Sequence, residues 1–154
     1  DKYRFNACSR SVAGIRPENE DACEVCRISH PTGPFLLLAI ADGLGGHPAG
    51  EVASNLAVRT FSGIINDRLL ALPELTGIAW VLVELAFRET NSRVIAASEQ
   101  GDGLQGMGTT LVAALVSGEG HCIIGNVGDS RAYLVGERLE PLTRDHSRVQ
   151  ELVD

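Results

Sequence analysis

An α+β fold built on antiparallel sheet is what this sequence predicts, on three observations. Runs of strand character lie towards both ends of the chain, and two long stretches of helical period lie between them. Tight glycine-containing connections join successive strand-like runs, which is hairpin chemistry rather than the βαβ alternation of a doubly wound sheet. The predicted order is β-β-β-α-α-β-β-β-β, followed by a helix start near Asp145. A chain of 154 residues with 44% hydrophobic content is about one domain with a real core.

Tyr3 to Val12 alternates loosely between apolar and polar residues, and Ala22 to Ile28 has the character of a second strand. A Pro/Gly turn at residues 31–34 leads into Phe35 to Ala41, which is apolar at every position and therefore predicts an interior strand covered on both faces. From Gly50 the period changes: Ala53, Leu56, Ala57, Phe61 and Ile64 recur at helical spacing, with Glu51 in the first turn where an acid suits the helix dipole. A second helix follows Pro73, with Leu75, Ile78, Ala79, Leu82 and Ala86 on one stripe and Val83, Phe87 and Val94 on its neighbour. Two stripes predict contacts with both a sheet and another helix. Gln100 to Gly108 reads as a loop with four glycines, and Thr109 to Val116 as a strand. His121 to Val127, Arg131 to Val135 and Leu139 to Leu142 then alternate with Gly128-Asp129-Ser130 and Gly136-Glu137-Arg138, read as tight turns between antiparallel strands. Thr143 or Asp145 would cap the final helix.

Charge and residue usage exclude several functions. A formal net charge of −7 repels nucleic acid and anionic lipid. Lys2 is the only lysine, and at the terminus it serves neither a P-loop, nor a kinase strand, nor a Schiff base. No stretch is long and apolar enough to span a membrane, and the first residues lack a secretion-signal layout, so a cytoplasmic location is expected. The chain opens on Asp1 and its only methionine is Met107, which reads as a piece or a processed form. Cys23 and Cys26 have the spacing of a redox or zinc pair, but no second close ligand pair accompanies them; with Cys8 and Cys122 they read as buried free thiols.

Three constellations could carry chemistry. Asp42-Gly43-Leu44-Gly45-Gly46 closes the apolar strand. A dinucleotide-binding loop fails there because Pro48 replaces the third glycine, and no Walker lysine follows. Asp42 is then either a solvated turn aspartate or a cation ligand, with the Gly43 carbonyl free to turn towards the same ion. Arg16-Pro17-Glu18-Asn19-Glu20-Asp21 enters a strand with two adjacent acids that project to opposite faces, and Arg16 offers a planar fork suited to phosphate oxygens. In isolation this stretch reads as a charged exposed turn. In Gly125-Asn126-Val127-Gly128-Asp129-Ser130-Arg131, Ala132 denies the spacing of a nucleophile elbow, so Ser130 is not read as a nucleophile. Asp129 there is a third candidate carboxylate, or simply a hairpin aspartate. Oxygen ligands without a His/Cys set favour magnesium or manganese over zinc, and such ions, lacking a lysine or a protein nucleophile beside them, support hydrolysis.

These motifs resemble those of the bacterial branch of the PP2C (PPM) serine/threonine phosphatases. The resemblance rests on Gly14-Ile-Arg16-Pro-Glu-Asn19-Glu20-Asp21, Ala41-Asp42-Gly43-Leu44-Gly45-Gly46-His47, Gly50-Glu51-Val-Ala-Ser54, Gly106-Met-Gly108-Thr109-Thr110-Leu and Gly125-Asn-Val-Gly128-Asp129-Ser130-Arg131-Ala-Tyr, which come in the family's order from about Phe5 to Val153. It implies a four-layer αββα sandwich, two antiparallel sheets flanked by helix pairs, here truncated at the C-terminus. Residues 1–154 would form a single incomplete phosphatase domain. It implies hydrolysis of phosphoserine and phosphothreonine by a metal-activated water, with two manganese or magnesium ions and a third, weaker one. By resemblance Asp42 bridges two ions, Gly43 gives its carbonyl to one, Glu20 and Asp21 bind the cluster directly or through water, and Asp129 helps hold the third ion. Arg16 would clamp the substrate phosphate. The implied partners are phosphorylated proteins and a cognate serine/threonine kinase.

Two departures qualify the resemblance. Leu44 stands where some relatives have a histidine proposed as general acid, and His47 is given only a supporting role. The family continues beyond the segment matching Arg148 to Leu152 with further strands and two more metal-binding aspartates, so the isolated 154-residue piece is expected to be poorly active. The alternative, a catalytically inactive binding or regulatory module on the same scaffold, is disfavoured by the retention of acids whose mutual repulsion destabilises a fold without a cation.

Overall fold

A computed structural model of the chain describes residues 4–44, 48–73, 77–100 and 102–146. Gly45, Gly46, His47, Leu75 and the segment from Ser147 onward lie outside the described residues. The architecture is α+β. Nine elements occur among the described residues: β1 (Asp21–His30), β2 (Gly33–Leu44), α1 (Pro48–Ala71), α2 (Ala79–Gln100), β3 (Gly108–Thr109), β4 (Leu111–Ser117), β5 (Cys122–Val127), β6 (Tyr133–Val135) and β7 (Leu139–Pro141).

The apolar run expected as an interior strand is one. β2 lies between β1 and β4 in an antiparallel sheet of order β1-β2-β4-β5, with β3 pairing the end of β2. Strand alternation divides its side chains. Phe35, Leu37, Ala39 and Ala41 enter the buried cluster shared with the helices, while Leu36, Leu38, Ile40 and Asp42 take the other face. That second face is only partly covered among the described residues: Leu36 is buried, whereas Ile40 is 51% exposed.

Both helices lie on the first face. α1 packs on β1 and β2 through Val58, Phe61, Ile65 and Leu69, all 3% exposed or less, while Ala53 and Ala57 join a second buried cluster with Val94 of α2 and Met107. α2 packs on α1 and β5, burying Leu82, Val83, Ala86, Thr90 and Val94. Its two apolar stripes therefore do meet a helix and a sheet. Phe61 and Phe87 join the helices edge to face, with ring centroids 4.8 Å apart, and Phe87 lies so close over β5 that a Cβ at Gly125 would overlap its ring. The first hairpin is closed by His30. Its Nε2 meets the Leu72 carbonyl at 2.7 Å, and its Nδ1 accepts the Thr32 N–H at 3.1 Å, so the ring carries its proton on Nε2 and ties β1 to the end of α1.

Several expectations need correcting. Residues 4–13 form no strand, because no neighbouring chain among the described residues offers them a ladder. α2 starts at Ala79 rather than directly after Pro73, and Ile78 ahead of it is 41% exposed. Residues 128–130 are not a hairpin turn: among the described residues β5 pairs β4, and β6 pairs only β7. Gly128, at φ +101°, instead carries the chain out of the sheet. The Asp145 carboxylate takes the Nε and Nη2 of the Arg131 guanidinium, at 2.7 and 2.6 Å, and the helix expected to start near it falls on residues from 147 onward, outside the described residues. The Thr143 hydroxyl accepts the Ala132 N–H. Residues 142–146 are not helical. Of the thiols, Cys8 and Cys122 are exposed rather than buried. Cys23 and Cys26, three apart on a strand, point to opposite faces and cannot share a metal. No helix is long and apolar enough to cross a membrane among the described residues.

Candidate metal centre

An antiparallel sheet brings alternate strand starts and strand ends to the same edge. Here that edge collects the start of β1 (Asp21), the end of β2 (Asp42), the residue before β4 (Thr110) and the turn leaving β5 (Gly128 to Ser130). Sequence positions up to 109 apart, Asp21 and Ser130, thus become neighbours of one strand end.

Asp21 and Asp42 are direct cross-strand partners. The N–H and C=O of Asp42 both bond Thr110, its carbonyl accepting the Thr110 N–H at 2.9 Å and its N–H donating to the Thr110 hydroxyl at 2.9 Å. Towards β1, Asp42 is therefore in a non-hydrogen-bonded pair, the closer type, with Cα atoms about 4.5 Å apart. The ladder flanks this pair as it should, the Gly43 N–H donating to the Glu20 carbonyl at 3.2 Å. Two carboxylates thus stand side by side on the face opposite the helices.

The electrostatics follow. Partial burial, then the charge of Asp21 and a proton shared with it, then the charge of Asp129, push the Asp42 carboxyl above its ordinary value of 3.8, and Arg16 counters them. This happens although the Asp42 side chain still reaches solvent. A carboxylate held among carboxylates is stabilised in its charged form by a cation placed beside it.

Arg16, Glu20, Asp42, Gly43 and Leu44 line one cleft of about 470 Å³. Arg16 is exposed and its N–H closes a turn onto the Ala13 carbonyl at 3.1 Å. The Glu20 carboxylate lies against Gly50 in the first turn of α1, where a Cβ would come within 2.9–3.2 Å of its atoms; the positive dipole of that turn favours an anion there. Gly43 is enforced by crowding rather than by dihedral angle: a Cβ on it would overlap the Gly50 carbonyl and approach the Glu20 carbonyl oxygen to 2.8 Å.

The structure thus brings Arg16, Glu20, Asp21, Asp42 and Gly43 to one cleft edge, with Asp129 near enough to act on Asp42. No three His, Cys, Asp or Glu side chains among the described residues close around a single point as a metal cage. What is present is an open, oxygen-only half-site, two paired carboxylates with a third nearby. That donor chemistry fits a hard divalent cation retaining several waters.

Sequence reasoning missed Thr110 and Ser130. Thr110 is 4% exposed, and its hydroxyl lies 2.7 Å from that of Ser130. The adjacent Thr109 hydroxyl donates to the Asp42 carbonyl at 3.0 Å. The only signal was their presence in the Gly-Met-Gly-Thr-Thr and Gly-Asp-Ser motifs; reading Ser130 for nucleophilicity alone hid a role in holding a turn.

Known proteins resemble this chain in sequence and in fold. The protein phosphatase 2C family matches residues 16–151. The serine/threonine phosphatase stp of Listeria welshimeri is 42% identical over 140 residues, which are 90% of this chain and 53% of that protein. The serine/threonine protein phosphatase PstP of Mycobacterium tuberculosis is 41% identical over 119 residues, 77% of this chain and 22% of that one. The crystal structure of the catalytic domain of PstP in complex with two manganese ions superposes with a TM-score of 0.70 at 37% identity, covering 94% of this chain and 56% of that chain. The chain spans about half the length of the Listeria relative it matches. With the family matching residues 16–151 and a relative 42% identical over 90% of the chain, this chain belongs to the protein phosphatase 2C family.

Proposed function

We propose that residues 1–154 form part of a single phosphatase domain that hydrolyses phosphoserine and phosphothreonine on proteins with manganese or magnesium. The observation that carries this reading is the cross-strand pairing of Asp21 with Asp42 at the sheet edge beside Arg16. A bound divalent cation supplies Lewis acidity and a lowered pKa for coordinated water. Asp42 and Asp21 would hold it, with the Gly43 carbonyl and Asp129 adding oxygens, and Glu20 ordering the first turn of α1 behind them. Arg16, exposed at the mouth of the cleft, would take the phosphate in a bidentate grip and orient the ester. The PstP complex with two manganese ions supports the choice of metal.

The same reading places the protein in the cytoplasm, in signalling opposite a serine/threonine kinase that makes its substrates. Four free cysteines, two of them exposed, suit a reducing compartment. The test is hydrolysis of p-nitrophenyl phosphate by the full-length protein, with and without manganese, beside its Asp42→Asn variant. Manganese-dependent turnover that falls by several orders of magnitude in the variant is expected, because the replacement keeps shape while removing charge; undiminished turnover by Asp42→Asn overturns the assignment.

A further inference from the structure

We infer that Thr110 is a positioning residue that holds the Asp42 strand end and the Asp129 turn in one fixed arrangement for cation binding, an inference that rests on the metal reading above. The β2 ladder keeps its register past this point, from Ile40↔Val112 to Gly43↔Thr109, which sets Asp42 opposite Thr110. Regular pairing would send the Asp42 N–H to the Thr110 backbone carbonyl. It goes instead to the Thr110 hydroxyl at 2.9 Å, while the Thr110 N–H keeps the Asp42 carbonyl at 2.9 Å. One rung of the ladder is thus made by a side chain.

The substitution has a consequence for the other carboxylate. A backbone carbonyl can only accept, whereas a hydroxyl can also donate. The hydroxyl also meets the Ser130 hydroxyl at 2.7 Å, and Ser130 directly follows Asp129. The Thr110 methyl takes the rest of that turn, packing so tightly on Gly128 that a Cβ there would lie 2.7 Å from Thr110 Cγ2. At 4% exposure this contact is shielded from water, where an unpartnered N–H or hydroxyl is costly. Threonine alone among the residues supplies both an oxygen for Asp42 and Ser130 and a methyl for Gly128; valine lacks the first and serine the second.

The experiment is calorimetric titration of the full-length protein with manganese chloride, no substrate present, paired with thermal unfolding in EDTA. Thr110→Val should weaken manganese binding by about tenfold or more, the range seen when groups that orient metal ligands are removed. Thr110→Ser, which keeps the hydroxyl, should stay within about threefold by the same reasoning. Thr90→Val serves as the stability control: Thr90 is buried on α2 with no hydrogen-bond partner for its hydroxyl among the described residues, and it should leave affinity unchanged. Affinity in Thr110→Val equal to wild type, or a loss in Thr110→Ser as large as in Thr110→Val, overturns the inference. If Thr110→Val does not fold, Ser130→Ala decides: weakened manganese binding supports the link and unchanged binding refutes it. Asp42→Asn in the same titration separates the two levels. Manganese binding that survives Asp42→Asn removes the metal reading itself, whereas its loss there alongside unaltered Thr110→Val removes only the role of Thr110.

Discussion

Replacing Asp42 by asparagine should make the metal-free protein more stable and at the same time remove the stabilisation that manganese confers. Asp42 faces Asp21 directly across the strand pair. Like charges directly opposite on a sheet cost roughly 0.2–1 kcal/mol, and solvent screening of this exposed pair holds the figure to the lower half of that range. In a protein of this size 1 kcal/mol moves the unfolding midpoint by roughly 2–4 °C, so Asp42→Asn should raise it by about 1–2 °C in EDTA. The pH dependence has a defined sign. Because the folded-state value lies above the ordinary 3.8, the folded protein binds more protons than the unfolded chain in that window, and stability falls as pH rises through it. The gap between variant and wild type should therefore vanish below 3.8 and be complete once Asp42 is ionised in the folded state. Manganese at a hundred times its dissociation constant should add about 2.7 kcal/mol to the wild type, a shift of roughly 5–10 °C on the same scale, and none to the variant. Scanning calorimetry with EDTA or manganese at several pH values measures all of this. A lower metal-free midpoint for Asp42→Asn, or a manganese shift that survives in it, would refute the reasoning.

Other perturbations test the frame around the site. Phe61→Ala removes a ring that is fully buried and packed against Phe87, and should cost about 3–5 kcal/mol in urea unfolding with the denaturant slope unchanged. Gly43→Ala drives a Cβ into the Gly50 carbonyl; a loss of about 1–3 kcal/mol is expected from overpacking, together with weaker manganese binding by calorimetry. Gly63→Ala in exposed mid-α1 meets nothing within 4 Å and should instead stabilise by about 0.5–1 kcal/mol, so equal effects at the two glycines would contradict the crowding described at Gly43.

What the sequence by itself determined was whatever local periodicity and composition control. The apolar Phe35–Ala41 run could only be an interior strand, and the stripe through Ala53, Ala57, Phe61 and Ile64 could only be a core-facing helix. The acids and Arg16 were legible as candidates because carboxylates beside glycines suit a hard cation and a guanidinium fork suits a phosphate. Tertiary structure alone decided the rest. Strand character in residues 4–13 came to nothing because a strand needs a partner ladder, and partners are set at long range. Gly128-Asp129-Ser130 has hairpin residues, yet it leaves the sheet, Gly128 turning at φ +101° and packing down on Thr110 rather than folding β6 back on β5. The closeness of Asp21 to Asp42 depended on which rungs of β1–β2 carry hydrogen bonds, a parity that no local pattern encodes. The hydroxyl link from Asp42 through Thr110 to Ser130 joins residues 88 positions apart along the chain. It exists because antiparallel pairing returns alternate strand ends to one edge, where side chains with no local relation must satisfy one another's hydrogen bonds.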